Sequence, residues 1–345
     1  MVVVSLAVAP AAATTGKAEP PPAPPVVDPW AAFPRGWTEL PGPSETRSGA
    51  SIVWTDHELI VWGGASASGS GTTDGFAFDP SSKTWRQIAP APIKARFGAR
   101  ATWTGSEVLV WGGYDQQRGF VDGAALDPIT GSWRRIAKAP IKPRWGGVTV
   151  WTGTELIVWG GGKPGKVANT DGAAYDPVAG SWRRIADSPV GLNLATGAWT
   201  GTEMIVFGSL LNHLNRARTR RAVGAAYDPV ADSWRELPTS PLSPQASSGG
   251  WIADRFIAWD YTMRAARYSP RSDSWRILSR PPVSASECYP DSAVFDGGLF
   301  AFYCTQLCSM RRPRPGTRRE ADSRSPGHVP TSSPPVRRSG LERES

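Results

Sequence analysis

Two kinds of polar residue recur at fixed positions along the chain. Three arginines lie seven residues before a tryptophan, and three aspartates lie five residues before a second aspartate. These residues are Arg47, Arg96, Arg144, Asp74, Asp122 and Asp171. Guanidinium groups bind carboxylate and sulfate through paired hydrogen bonds, so one hypothesis is a polar ring that binds an anionic ligand. The alternative, which strict repetition favours, is that each pair braces adjacent loops.

A second group of polar residues lies in the segment SLLNHLNRARTRRAV, residues 209–223. It contains His213, Arg216 and Arg218 among several basic residues. A basic cluster of this kind suits an anionic partner such as an acidic glycan. A long solvated loop explains the same composition and is the interpretation that we favour.

Metal and cofactor chemistry has little support in the other reactive residues. The three histidines are scattered, and the three cysteines form no CxxC pair. They are His57, His213, His328, Cys288, Cys304 and Cys308. We therefore predict no metal site and no cofactor, and the sequence leaves open whether Cys288 and Cys304 form a disulfide. No GxSxG, HExxH or P-loop pattern is present.

The elements that must position these side chains form a repeat of about 48 residues. One tryptophan closes each unit, and successive closing tryptophans are separated by 48, 48, 49, 52 and 41 residues. They are Trp37, Trp85, Trp133, Trp182, Trp234 and Trp275. Each unit contains one hairpin of the type WTGTELIVWGG and a second of the type AAYDPVAGSWRRI, which predicts four short strands.

The details of the unit resemble the kelch motif, as in the central domain of galactose oxidase-like proteins. A hydrophobic strand ends in a glycine pair, such as Gly160–Gly161, and an aromatic residue, Tyr175, precedes the closing Trp182 by seven positions. The resemblance implies an all-β, kelch-type β-propeller over residues 37–304. We expect five complete blades and an incomplete sixth, closed by an N-terminal strand at residues 37–40.

The resemblance also bears on which functions are plausible for the chain. Copper oxidase chemistry in such proteins needs two His, two Tyr and a Tyr-linked Cys, and these residues do not carry over to this chain. Our leading hypothesis is a non-catalytic binding module for protein or carbohydrate. A sugar epimerase or mutarotase that uses Arg and carboxylates is an alternative, and a degenerate protein without a ligand is another. Converging carboxylates in a pocket would favour the enzyme, whereas a flat mouth would favour binding.

The loops predict where a ligand binds. In a four-stranded antiparallel blade, the second-to-third loops share one face with the connections between blades. The length of these loops is measured from the aromatic residue that ends the second strand to the Asp or Ser that precedes the proline of the next turn. In the five units this separation is 17, 16, 17, 21 and 10 residues. Since variable loops on a rigid scaffold commonly carry recognition, we expect ligands on this face.

The charge of the chain is uneven. The formal net charge is +8, but residues 305–345 hold nine Arg and four acids, which is +5. The other residues carry 29 basic and 26 acidic side chains, or only +3, so we expect no nucleic-acid partner. No segment is long and apolar enough for a transmembrane helix, and we expect a monomer.

Composition also suggests the limits of the domains. Residues 1–18 resemble a secretory signal, and residues 19–36 form a proline-rich linker. Residues 37–304 contain the propeller repeats, and residues 305–345 form an Arg-, Pro- and Ser-rich tail that we predict to be disordered. The signal-like start favours a secreted or cell-envelope location.

The origin of the tail can be tested at the DNA level. The hairpin at residues 291–304 begins a sixth unit, but no aromatic-Asp-Pro turn follows it. A frameshift after Cys304 explains this break inside a blade better than a natural basic tail does, because propellers avoid unpaired strand edges. We expect one of the other two reading frames of the encoding DNA to restore an aromatic-Asp-Pro turn followed by Trp. If neither frame does, the frameshift hypothesis is wrong.

Overall fold

The computed structural model describes residues 42–45, 47–162, 166–210, 221–243, 246–252, 254–260 and 264–278. These residues form twenty strands in five four-stranded sheets. Every pairing within a sheet is antiparallel, and each sheet follows chain order. The predicted all-β architecture with five complete blades is therefore confirmed. The predicted strand at residues 37–40, the incomplete sixth blade and the tail lie outside the described residues.

The blades have closely similar strand lengths. Blade 1 contains β1 (Ser51–Trp54), β2 (Leu59–Trp62), β3 (Gly75–Asp79) and β4 (Thr84–Ile88). Blade 2 contains β5 (Arg100–Trp103), β6 (Val108–Trp111), β7 (Gly123–Leu126) and β8 (Trp133–Ile136). Blade 3 contains β9 (Val148–Trp151), β10 (Leu156–Trp159), β11 (Gly172–Asp176) and β12 (Ser181–Ile185).

The last two blades have longer first strands. Blade 4 contains β13 (Asn193–Trp199), β14 (Met204–Ser209), β15 (Val223–Asp228) and β16 (Ser233–Glu236). Blade 5 contains β17 (Ala246–Ile252), β18 (Arg255–Asp260), β19 (Ala265–Ser269) and β20 (Ser274–Ile277). The first strands of consecutive blades contact one another, so β1, β5, β9, β13 and β17 are the inner strands.

The turns between third and fourth strands follow from their sequence. Asp127 accepts backbone hydrogen bonds from Ile129 and Thr130, and Asp176 accepts the same pair from Val178 and Ala179. The position four residues after the first Asp or Ser of this turn has positive φ in every blade. Glycine fills it in blades 2 and 3, whereas Lys83, Asp232 and Asp273 adopt φ of 56°, 46° and 43° in the others.

The hydrophobic core lies in layers between neighbouring blades. Ile60, Trp62 and Ile88 of blade 1 pack with Val110 and Leu126 of blade 2. Equivalent layers join blades 2 and 3, blades 3 and 4, and blades 4 and 5. Because the sheets of blades 2 to 4 bury both faces against neighbouring blades, second and third strands such as β6 and β7 are buried along their whole length.

The tryptophans differ in burial from the expected pattern. The repeat predicts core positions for the closing tryptophans, but the five that the structure describes, from Trp85 to Trp275, are only partly buried. The fully buried tryptophans lie at or next to the ends of second strands, and Trp62 and Trp159 are both 0% exposed. This difference arises because the closing tryptophan lies on the outermost strand, where one edge of the ring faces solvent.

Closing tryptophans instead connect consecutive blades. The ring of Trp182 lies 5.9 Å from that of Trp111 in the preceding blade, and its Nε1 donates to the carbonyl of Ala137, 2.8 Å away. Trp133, Trp234 and Trp275 repeat both contacts with their own preceding blades. Each of these four tryptophans therefore connects its blade to the preceding one.

We predict that Trp182→Ala lowers the free energy of unfolding by about 3 kcal/mol, since it removes the inter-blade ring contact and the hydrogen bond to Ala137. Trp182→Phe should lose about 1 kcal/mol, because the ring stays and only the indole donor is lost. Val178→Ala is the matched control in the same hairpin, as Val178 is 96% exposed. Thermal and urea unfolding would measure all three. Equal stability of Trp182→Ala and Val178→Ala would contradict this connecting role.

Candidate functional site

One face of the propeller carries the second-to-third loops and the connections between blades, and we call it the variable-loop face. A glycine pair stands at the start of each such loop in the first three blades. Both glycines have positive φ, as at Gly112 and Gly113 with φ of 71° and 81°. A Cβ atom on Gly113 would lie 2.9 Å from the backbone nitrogen of Ala99. The pair therefore lets the loop pass directly over the start of the inner strand.

The repeated arginines lie beneath these loops. Arg96 donates from Nη1 to the carbonyl of Gly112 and to the Asp122 carboxylate, at 3.0 and 2.8 Å. Its Nε donates to the carbonyl of Lys94 at 2.8 Å. Arg144 makes the equivalent bonds to Gly160, Asp171 and Lys142. One guanidinium thus joins the blade-to-blade connection, the end of the second strand and the start of the third.

Arg47 occupies the same position in blade 1. It donates to the Asp74 carboxylate at 2.7 Å and to Thr72 Oγ1 at 2.6 Å. The hydrogen bond from Arg47 holds the pKa of the Asp74 carboxyl below its ordinary value. The pair therefore stays ionised at neutral pH.

Burial separates these arginines from solvent. The side chains of Arg47, Arg96 and Arg144 are 3%, 0% and 1% exposed. Each of Asp74, Asp122 and Asp171 is held by the arginine of its own blade, and these three carboxylates form no shared acid pair. This geometry matches the alternative in which each Arg–Asp pair braces adjacent loops. The hypothesis that the same six side chains contact a ligand stays a prediction.

A different arginine is exposed on this face. Arg100 is the first residue of β5, and it is the only charged residue on the five inner strands. Its side chain is exposed, and the structure shows no hydrogen bond or ion pair between Arg100 and another described residue. Desolvation by the surrounding strands lowers the pKa of its guanidinium. Arg100 is therefore a cation at the start of an inner strand, without a counter-ion among the described residues.

Three aromatic side chains of blade 2 and of the connection into blade 3 form what we call the aromatic cluster. The rings of Phe97 and Tyr114 meet edge to face at 4.3 Å within blade 2. Tyr114 meets Trp145 of the next blade connection, again edge to face, at 6.0 Å. Trp145 is 50% exposed. The cluster thus presents a large apolar ring to solvent from a rigid, packed base.

The local backbone explains why Trp145 is uncovered. Trp145 forms an isolated β-bridge with Gly162, just as Phe97 forms one with Tyr114. In blade 2 the bridge partner is aromatic and contacts its neighbour, whereas in blade 3 the partner is glycine and has no side chain. The Trp145 ring therefore has no cross-bridge side chain above it.

Charge around this region is positive. Apart from the Arg96–Asp122 and Arg144–Asp171 braces, the described second-to-third loops of blades 2 and 3 and the connections that lead into these blades hold five exposed basic residues and one acid, Asp115. The basic residues are Lys94, Arg118, Lys138, Lys142 and Lys166. Such an excess attracts anionic partners and speeds their association.

The opposite face carries a network that the sequence analysis missed. Arg183 pairs in bidentate fashion with Glu155 of its own blade, at 2.9 and 2.7 Å, and its Nη1 approaches the hydroxyl of Tyr227 in the next blade at 3.5 Å. Tyr227 donates to Asp232 at 2.5 Å, and desolvation followed by this hydrogen bond raises the pKa of Tyr227 to about 12. Arg134 with Glu107 and Arg235 with Glu203 repeat the arrangement. The repeated TxxE and WR spacings carried this signal.

The other predicted candidates are outside this geometry. His213, Arg216 and Arg218 lie outside the described residues, as do Cys288 and Cys304. Within the described ranges, no group of three or more His, Cys, Asp or Glu side chains is placed to hold a metal ion. The same part of the chain contains no helix that is long and apolar enough to cross a membrane.

The braces and Arg100 should respond differently to mutation. We predict that Arg96→Ala lowers the free energy of unfolding by about 3 kcal/mol, because Asp122 and the carbonyl of Gly112 lose their buried partner. Arg100→Ala should change it by less than about 0.5 kcal/mol, since no intramolecular bond is lost. Chemical denaturation measures both. Similar losses for the two variants would refute this division of roles.

Comparisons with known proteins agree with the geometry. No curated protein matches the chain. The family model of the KLHDC2/KLHL20/DRC7 Kelch-repeats domain matches residues 49–255, which is 207 of the 345 residues. The match spans blades 1 to 4 and reaches β18 of blade 5. The chain therefore belongs to the kelch-repeat family of β-propellers.

Proposed function

We propose that the chain is a protein-binding module that receives an acidic segment of its partner on the variable-loop face of blades 2 and 3. Kelch repeat domains commonly bind proteins. The observation that carries the proposal is the state of Arg100, an exposed cation without a described counter-ion, on inner strands that are otherwise uncharged. A carboxylate of the partner supplies the missing acceptor.

The surroundings of Arg100 suit this role. β5 contacts β1 and β9, and Thr102 Oγ1 lies 3.5 Å from Thr149 Oγ1 across the β5–β9 boundary. Arg100 thus stands on a rigid part of the scaffold. The five exposed basic residues of the neighbouring loops provide long-range attraction, while Arg100 provides the local contact.

Partly desolvated charges form stronger hydrogen bonds than fully exposed ones. The strands around Arg100 already remove part of its hydration, so an incoming carboxylate has less water to displace there than at a surface lysine. This physical difference favours Arg100 over Lys94 or Lys142 as the centre of the site.

The carbohydrate ligand, the epimerase or mutarotase activity, the monomeric state and the location outside the cytoplasm stay predictions. The three brace aspartates are each bonded to an arginine, and an acid–base mechanism needs carboxylates that approach a substrate. For this reason we place protein binding first.

Selection from a displayed library of random linear peptides tests the proposal. Peptides enriched by the wild-type protein should carry Asp or Glu, or depend on a free C-terminal carboxylate. Arg100→Ala should raise the Kd of such peptides about tenfold or more, while increasing salt should weaken binding to the wild type. Arg271→Ala is the matched control, because Arg271 is an exposed arginine in a turn of the opposite face. Enriched peptides without acids, or equal affinities for wild type and Arg100→Ala, would overturn the proposal.

A further inference from the structure

We infer that Trp145 is the specificity-determining residue of this site, and that it stacks against a flat apolar side chain, proline or aromatic, next to the acidic residue of the partner. The inference rests on the proposed protein-binding function and adds to it a second, uncharged requirement. It follows from the exposure of Trp145, the packing beneath it and its position relative to Arg100.

The exposure of Trp145 contrasts with that of the tryptophans in the second strands. Trp62, Trp111, Trp159 and Trp259 are at most 3% exposed, whereas Trp145 is 50% exposed and lies in a connection rather than a strand. A large apolar ring in water has an unfavourable solvation free energy that a ligand can relieve.

The packing beneath Trp145 makes it a fixed platform. Its edge-to-face contact with Tyr114, and that of Tyr114 with Phe97, hold three rings in a row. A Cβ atom on Gly98 would lie 2.6 Å from Tyr114 Cε1, so the glycine lets the ring of Tyr114 lie directly against the backbone. An aromatic platform that is already ordered loses little conformational entropy when a ligand binds.

The position of Trp145 relates it to Arg100. Trp145 precedes β9 by three residues, and Arg100 begins β5, whose neighbour is β9. Gly146 has a φ of 68°, so the chain turns between Trp145 and β9. Because β5 and β9 are in contact, Trp145 and Arg100 lie at the same end of two neighbouring inner strands, and one short segment of the partner can contact both.

The chemistry of the ligand follows from the two surfaces. The ring face of Trp145 is apolar and flat, and it stacks well against proline or an aromatic side chain. Lys142 and Lys166 lie in the same connection and the adjacent loop, so a cationic side chain on the partner is disfavoured. The partner segment is therefore expected to combine an acid with a flat apolar residue, without nearby lysine or arginine.

Parallel selections from the same random-peptide library test this inference. They use the wild type, Trp145→Ala, Trp145→Phe and Arg100→Ala, after thermal unfolding has shown that all four are folded. The wild type should enrich peptides with an acid and a proline or aromatic residue within a few positions. Trp145→Ala should lose the apolar preference and keep the acidic one, with Kd raised about tenfold for the wild-type peptides. Trp145→Phe should retain most of the preference.

The outcomes separate this inference from the proposed function. Acidic peptides with no apolar preference, or an apolar preference that survives in Trp145→Ala, would overturn the role of Trp145 and leave the protein-binding function standing. Enrichment of no peptide by the wild type would overturn both. A glycan array is the second arm. Glycan binding that is lost in Trp145→Ala would show that the platform stacks on sugar rings and would also overturn the inference.

Discussion

A buried guanidinium must be surrounded by acceptors, and this requirement organises the variable-loop face. Arg96 and Arg144 are 1% and 6% exposed, and each draws a carboxylate and several backbone carbonyls around itself. In Arg96 the plane of the guanidinium also lies over the ring of Phe120, 4.2 Å from its centroid. Because three chain segments meet at one side chain, long and variable loops stay attached to a regular scaffold.

The scaffold itself depends on contacts between blades. Each blade buries its sheet against the next one, and the closing tryptophan adds a ring contact and a hydrogen bond across the boundary. On the opposite face, the pairing of Arg183 with Glu155 extends to Tyr227 of the following blade. The two faces therefore have different roles. The opposite face carries a repeated structural network, whereas the variable-loop face combines the arginine braces with groups that differ from blade to blade.

Sequence reasoning identified the repeat, the blade boundaries and the brace residues, because each depends on local spacing. The Asp-Pro turns, the glycine pairs and the recurrence of Arg47, Arg96 and Arg144 are visible in the chain without any tertiary information. Repetition also correctly favoured the brace geometry, since a structural role is expected in every blade. The same reasoning overestimated the burial of the closing tryptophans, because the spacing does not reveal that they lie on the outermost strand.

The groups that we place in the binding site were not found from the sequence, because they do not recur from blade to blade. Arg100 and Tyr114 occupy positions where blade 1 has Ser51 and Ala65, and Trp145 occupies the position of Ser48 in blade 1 and Phe97 in blade 2. A search for recurring residues passes over them. Their significance depends on which blades are adjacent and which positions are left open, such as Gly162 opposite Trp145. A comparison of blades that looks for departures from the repeat would have identified all three.

The central claim is that the repeated arginines are structural and that Arg100 is available to a ligand. Modification of the folded protein with phenylglyoxal, followed by peptide mass spectrometry, tests this claim without any knowledge of the partner. The account predicts rapid modification of Arg100 and protection of Arg47, Arg96 and Arg144, whose side chains are at most 3% exposed. All four should react in denaturant. Modification of Arg96 or Arg144 in the folded protein at the rate of Arg100 would contradict the account.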